Sequence, residues 1–259
     1  MLTQAKASTQ SVSNTLLSIL TISLGLFLGG LVGLIGLWLW LDYQAGPTHS
    51  LLVIFGNRTL DIIPASLRLS LENEAQLMGL PLTAQTSAFW YMARAGGIIS
   101  YLLLWLSVVW GLNLSTKIVQ DFIPAPIAYG LHEFLSIGVI LFVALHALVL
   151  LGDNYIEFKL FQLAIPFSAP YEPLWTGLGT LAFYLTAALT ASFYIRRQIG
   201  QKIWRTLHYL TFIAYLLALI HGLMAGTDSD LRLMQLMYLG TGSTVLFLIY
   251  YRLFTSHNL

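Results

Sequence analysis

The sequence has no cysteine, and only 9% of its 259 residues are charged. The missing cysteine excludes disulfides, zinc–thiolate sites and iron–sulfur clusters ligated by the chain itself. The scarcity of charge excludes an ordinary soluble domain, in which about a quarter of the residues are charged. With 57% hydrophobic residues and a mean hydropathy of +0.77, the chain cannot cover itself with polar surface, and the lipid bilayer is the expected solvent. The net charge is only +1, and no basic cluster is interleaved with aromatics, so no nucleic-acid partner is expected. There is no repeat, no low-complexity tract and no linker to a second domain, which leaves one membrane domain over 1–259.

What the chain does have is long apolar runs. Six of them, near 16–41, 88–112, 127–151, 173–195, 206–225 and 233–254, reach the roughly 20 helical residues that cross a hydrocarbon core. The expected fold is therefore an all-α integral membrane bundle of six transmembrane helices. The first run is too long for a signal-peptide core and reads as an uncleaved helix. Between the first two runs, 42–87 reads as a loop containing Pro47, Pro64 and Pro81. Within that loop IPASLRLSLENEAQLMGL has the composition of a short surface helix, as does YIEFKLFQLAIPF at 155–167.

Charge sets the expected orientation. One set of ends and loops holds Lys6, Lys117, Arg196, Arg197, Lys202, Arg205 and Arg252, with Asp121 as its one loop acid. The other set holds Asp42, Asp61, Glu72, Glu74, Asp153, Glu157, Glu172, Asp228 and Asp230 against Arg58, Arg68, Lys159 and Arg232. The excess of lysine and arginine puts the first set, and with it both termini, in the cytoplasm.

The chain has six histidines. His49 and His257 lie in a loop and a tail and read as solvated. The other four lie inside apolar runs. LHEFLSIGVILFVALHALVLLGD carries His132 and His146, fourteen residues apart; WRTLHYLTFIAYLLALIHGLMAGTDSD carries His208 and His221, thirteen apart. In the expected topology both helices run the same way, so His132 faces His208 near the cytoplasmic side and His146 faces His221 near the outer side. Ionisable groups at membrane depth face the bundle interior and mark function. Two imidazoles from facing helices are the axial ligands that a haem iron takes, and matched pairs at two depths call for two haems b. At about 1.5 Å per residue the two levels stand about 20 Å apart. A single haem, another metal, and a proton or quinone role are the alternatives. Fourteen residues at about 100° each return to within about 40° of the starting direction, whereas thirteen miss by about 140°. The spacing therefore predicts a departure from regular α geometry between His208 and His221.

Several single residues have two readings. Glu133 either orients a ligand or reaches the headgroups. Tyr215, midway between His208 and His221, either sits between two cofactors or packs the core. Trp90, Trp105, Trp110, Trp175 and Trp204 read as interfacial anchors. Gly25, Gly29, Gly30, Gly33 and Gly36 allow close helix packing in the first run. Asp153 and Asp228, each seven residues past an outer histidine, either shape an entrance or end a loop. The basic stretch RRQIGQKIWR, 196–205, serves topology, anionic lipid or an acidic partner.

Taken together, the histidine spacing, WYMARAGG at 90–97, WRTLHYL at 204–210 and HGLMAGTDS at 221–229 resemble the ferric reductase-like transmembrane domain. That superfamily includes ferric reductases, NADPH oxidases and the haem-binding membrane subunit of methionine sulfoxide reductase systems. The resemblance covers 88–254; the run at 16–41 is an extra first helix and 42–87 an outer loop. It implies a bacterial cytoplasmic membrane protein that passes electrons from an inner haem on His132 and His208 to an outer haem on His146 and His221. It also implies an external acceptor and a cofactor-binding role for Arg94 beside the outer haem. The sequence departs from the larger family members in having no glycine-rich dinucleotide fingerprint after a strand. A separate electron donor, a flavin reductase or quinol, is therefore expected. A quinol-fed haem subunit of a periplasmic reductase, and a non-haem transporter or structural membrane protein, are the alternatives.

Overall fold

A computed structural model describes residues 34–35, 37–38, 40–42, 44–46, 48–70, 88–116, 123–153 and 156–255 of the chain. Among them there is no strand. The helices are α1 (Leu51–Ile62), α2 (Ala88–Ser115), α3 (Ala125–Val149), α4 (Leu160–Ala164), α5 (Pro173–Tyr194), α6 (Arg196–Ile199), α7 (Gln201–His208), α8 (Thr211–Ala225) and α9 (Arg232–Thr255). Five helical stretches are long and apolar enough to cross a membrane: Phe89–Ser115, Ala125–Gly152, Pro173–Tyr194, Gln201–Ala225 and Arg232–Phe254. The chain is a multi-pass membrane protein. In hydrocarbon every backbone amide must find its partner inside its own segment, and a helix does this with local sequence alone.

The chain forms two compact units, Met1–Leu51 and Leu52–Leu259. In the first, the described residues between 34 and 44 are helical, and most of the expected 16–41 span lies outside the described residues. Asp42 is buried and accepts the Leu51 N–H at 2.6 Å and the Ser50 hydroxyl at 2.5 Å. In this way it satisfies an orphan donor at the start of α1. The expectation of a loop over 42–87 is thereby corrected, because LLVIFGNRTLDI is a helix. Of the expected surface helix at 63–80, the described residues 65–70 are helical. The expected element at 155–167 contains α4.

The second unit is a bundle. α2 packs along α3 and touches α8 and α9; α5 packs along α8 and touches α3 and α7. Prolines fix two of the starts. Pro126 stands in the first turn of α3 and Pro173 opens α5, where a missing N–H costs nothing. The inner face of α2 presents Tyr101, Leu104, Val108 and Leu112, which pack with Val139 of α3, Tyr215 of α8 and Tyr238 and Val245 of α9. The opposite faces carry large apolar side chains that only lipid can cover, such as Phe134 (70% exposed) and Leu239 (67% exposed).

Polar groups inside this core are matched. The Tyr101 hydroxyl bonds the Tyr215 hydroxyl at 3.1 Å and the Thr241 hydroxyl at 2.6 Å, tying α2, α8 and α9 together. The Tyr101 and Tyr215 rings stack with centroids 5.9 Å apart. Core packing, one of the two readings of Tyr215, is what its contacts show.

The connection from α3 to α5 folds back over one end of the bundle. Glu157, Phe167 and Glu172 adopt left-handed backbone conformations there (φ 56°, 67° and 39°). Phe167 is held between two glycines. A Cβ on Gly56 would lie 2.5 Å from the Pro166 carbonyl oxygen, and one on Gly177 would lie 2.2 Å from the Phe167 ring. Both positions need glycine for the close approach rather than for its backbone freedom.

Tyr101→Phe removes both hydroxyl contacts and takes from the Tyr215 hydroxyl its partner in the core. It is expected to destabilise the protein by about 1–3 kcal/mol. The check is a lower thermal unfolding midpoint in detergent, with Tyr250→Phe on the exposed face of α9 as the unaffected control.

Candidate functional site

The four intramembrane histidines form two facing pairs. The His132 and His208 ring centroids lie 6.1 Å apart with the planes at 83°. Those of His146 and His221 lie 6.3 Å apart at 71°. Both pairs are the ones expected from depth alone. His49 is exposed in a turn, and His257 lies outside the described residues.

The spacing has a chemical meaning. A metal–imidazole bond of about 2 Å and about 1.1 Å from nitrogen to ring centre give trans ligands centroids about 6.3 Å apart. Hydrogen-bonded imidazoles would have no reason to match this distance twice. No group of three or more His, Cys, Asp or Glu side chains able to hold a metal ion occurs among the described residues. Two imidazoles are too few for a structural metal ion, which takes about four protein ligands. They suffice for an iron whose other ligands come from a tetrapyrrole.

The surroundings of each ring repeat. α2 and α3 run antiparallel, and α2 offers the same motif at both levels. A Cβ on Gly97 would lie 3.1 Å from His146 Cε1, and one on Gly111 would lie 3.2 Å from His132 Cε1. Gly97 and Gly111 are fourteen residues apart (111 − 97), as are His132 and His146 (146 − 132). Four residues before each glycine stands a ring partner. His146 Nδ1 donates to the Ala93 carbonyl at 2.6 Å. His132 Nδ1 lies 3.4 Å from the Ser107 hydroxyl, which in turn bonds Ser136 at 3.0 Å. In an α-helix a carbonyl points towards the residue four positions on. A glycine there leaves the carbonyl's second lone pair open to a visiting imidazole.

α5 repeats the device for His221. Its Nδ1 donates to the Trp175 carbonyl at 2.9 Å, and Gly179, four residues on, is the contact glycine. A Cβ on Gly179 would lie 2.7 Å from that same nitrogen. At both rings of this level Nδ1 carries the proton and Nε2 is left as the basic nitrogen, the arrangement of a metal ligand. His208 differs. Its Nδ1 is buried without a hydrogen-bond partner among the described residues, and its ring stacks on Trp204 with centroids 5.1 Å apart.

Helix geometry also departs where the thirteen-residue spacing predicts. α7 ends at His208 and α8 begins at Thr211. Between them Leu210 N–H bonds the Leu207 carbonyl at 2.9 Å and Phe212 N–H bonds the Tyr209 carbonyl at 3.2 Å, both three residues back. This tighter 3₁₀-type winding adds about 20° per residue and supplies part of the rotation that thirteen α-helical residues lack.

A cavity of about 250 Å³ surrounds the His146–His221 pair. Its walls come from α2, α3, α5, α8, α9 and the connection before α5, with Gly97, Tyr101, Val143, Phe183, Ala218 and Tyr238 among the lining residues. At its edge Arg94 forms an ion pair with Asp228 and lies over the Trp90 ring, 4.0 Å from the centroid. Arg94 is thus beside the pair, with its charge matched by a carboxylate from the turn after α8. Tyr171 also lines the cavity and reaches the Ala225 carbonyl at 3.3 Å. Burial, with the Glu172 charge second, pushes its phenol up.

Other sequence readings are changed by contacts. Glu133 accepts the Tyr194 hydroxyl at 2.7 Å on the exposed surface, away from any ring nitrogen of the pairs. Trp90, Trp175 and Trp204 serve the site, as the base beneath Arg94, the carbonyl behind His221 and the stack beside His208. Trp110 anchors α2 to α3 through the Ala128 carbonyl at 2.8 Å. Gly97, Gly111, Gly179 and Ser107 escape a reading that looks for ionisable groups. The spacing of Gly97 and Gly111, equal to that of the histidines, is the signal that could have found two of them.

Gly179→Ala pushes a methyl group into the His221 ring and breaks its bond to Trp175. About 1–3 kcal/mol of destabilisation is expected, as for other overpacked sites. Gly97→Ala asks the His146 ring to give by only a few tenths of an ångström and is expected to cost less. Thermal unfolding of the two variants side by side measures the order.

No family model, curated protein or solved structure matches this chain. Its own histidine pairs are what speaks to function.

Proposed function

We propose that this chain is a six-helix di-haem b cytochrome of a bacterial cytoplasmic membrane, passing electrons from a cytoplasmic or quinol donor to an external acceptor. The observation that carries this reading is the facing of two histidine pairs at two membrane levels, with centroid separations of 6.1 and 6.3 Å. Further support comes from the resemblance of 88–254 to the ferric reductase-like transmembrane domain, which rests in part on the same histidines. The loop charges support the orientation. Arg196, Arg197, Lys202 and Arg205 lie at the His208 end and Asp228 and Asp230 at the His221 end, which supports a cytoplasmic His208 end.

When bound, haem b supplies reversible one-electron chemistry at each level. The chain's own residues do the rest. His132 and His208 would hold one iron and His146 and His221 the other. The Ala93 and Trp175 carbonyls fix the tautomer and the ring direction of the outer pair. Gly97, Gly111 and Gly179 let three of the rings lie flush against neighbouring helices. Val139, Tyr101 and Tyr215 pack together in the core between the levels. Arg94, held by Asp228, places a cation at the mouth of the outer site, where an anionic group of the cofactor or acceptor finds a partner. The donor is a flavin reductase or quinol.

Pyridine haemochrome analysis of the purified chain is expected to return two haems b per chain. One haem would remove the transmembrane path. No haem, from cells shown to supply it, would sink the cytochrome and favour a transporter or structural protein. In single variants, His132→Ala and His208→Ala should each lose the inner haem, and His146→Ala and His221→Ala the outer one. Equal loss of all haem in all four would argue against two separate sites.

A further inference from the structure

The two histidine pairs are alike in spacing and unlike in what stands behind the rings. At the outer level both Nδ1 groups donate to main-chain carbonyls, at 2.6 Å for His146 and 2.9 Å for His221. At the inner level His132 meets only a hydroxyl at 3.4 Å, shared with Ser136. His208 Nδ1 has no partner among the described residues and is sealed from water. The contrast follows from the chain. Ser107 stands where the fourteen-residue repeat would put the equivalent of Ala93, and its side chain takes the place of the carbonyl. On α5, thirteen residues on from Trp175 and Gly179 are Ala188 and Ser192, and among the described residues no glycine notch faces His208.

A carbonyl accepting from Nδ1–H draws the ring towards imidazolate and makes Nε2 a stronger donor to a metal. Stronger donation favours the oxidised metal, so hydrogen bonding around the ligands sets potential. The nearby charge does not reverse this effect. Arg94, the cation at the outer cavity, would raise the potential there, but Asp228 neutralises it.

We infer that the His146–His221 site is the lower-potential of the two centres and the His132–His208 site the higher. This rests on the reading of the pairs as haem ligands. The consequence is directional. At equilibrium a single electron on the protein resides at the inner level, and the outer level becomes reduced only after the inner one is full. An electron is thus withheld from adventitious acceptors at the open outer cavity until a second has followed it. Ser107 is a positioning residue in this scheme, acting on the inner metal through His132.

The test is a potentiometric titration of the purified full-length protein, followed at the haem α-band and preceded by the haemochrome count. Two one-electron waves are expected, and His146→Ala should remove the lower one. Because that variant disturbs a ligand, Ser107→Ala provides the second arm with all four histidines intact. It should raise the upper wave and leave the lower in place, and Ser107→Thr should restore the upper wave. Loss of the upper wave in His146→Ala, coincident waves, or a Ser107→Ala shift confined to the lower wave would overturn the assignment while leaving the cytochrome standing. Absence of haem from the unmodified chain would overturn both.

Discussion

An imidazole needs its second nitrogen satisfied, and inside a bilayer the nearest acceptor is another helix's main chain. That requirement organises the bundle around His146 and His221. A carbonyl in mid-helix already accepts from the amide four residues on, and its remaining lone pair is shielded by side chains. Removing the Cβ at Gly97 and Gly179 uncovers the carbonyls of Ala93 and Trp175. The distance between α2 and α3, and between α5 and α8, is then fixed by how closely a histidine ring can lie against a glycine. The helices pair as they do because the rings dock that way.

The fourteen-residue spacing on α2 and on α3 follows from the same constraint. Two antiparallel helices that both repeat at fourteen residues keep their motifs in register over about four turns. His208 and His221, on α7 and α8, are thirteen apart, and the chain makes up part of the difference by tightening the winding just after His208. The break between α7 and α8 is therefore an adjustment of phase, and it needs no proline to produce it.

Much of this was legible in the residues. Apolar length alone placed the five described spans to within a few residues. Histidine spacing together with the expected helix directions paired His132 with His208 and His146 with His221, and arithmetic on the number thirteen located the irregular helix. What the residues hid had physical causes. α1 reads as loop because its twelve residues are too short to span and its cap, Asp42, is nine positions away in sequence. The Ala93 and Trp175 carbonyls leave no trace in sequence, since every residue has a carbonyl. Asp228 could be noted but not paired, because its partner Arg94 lies on a helix more than a hundred residues earlier.

In the proposed cytochrome, the layer between the two histidine levels has a consequence for energy conversion. Val139 is 1% exposed and Tyr215 4%, and they pack with Tyr101 and Leu104 in the bundle core. An electron crossing this layer in such a cytochrome would displace net charge across the dielectric. The membrane voltage then acts on the reaction directly, by about 2.3 kcal/mol per electron for each 100 mV across the full bilayer. With the usual polarity, negative inside, that force pushes electrons outward. Packing of this kind would make the protein a discharger of the membrane potential as well as a supplier of reducing equivalents.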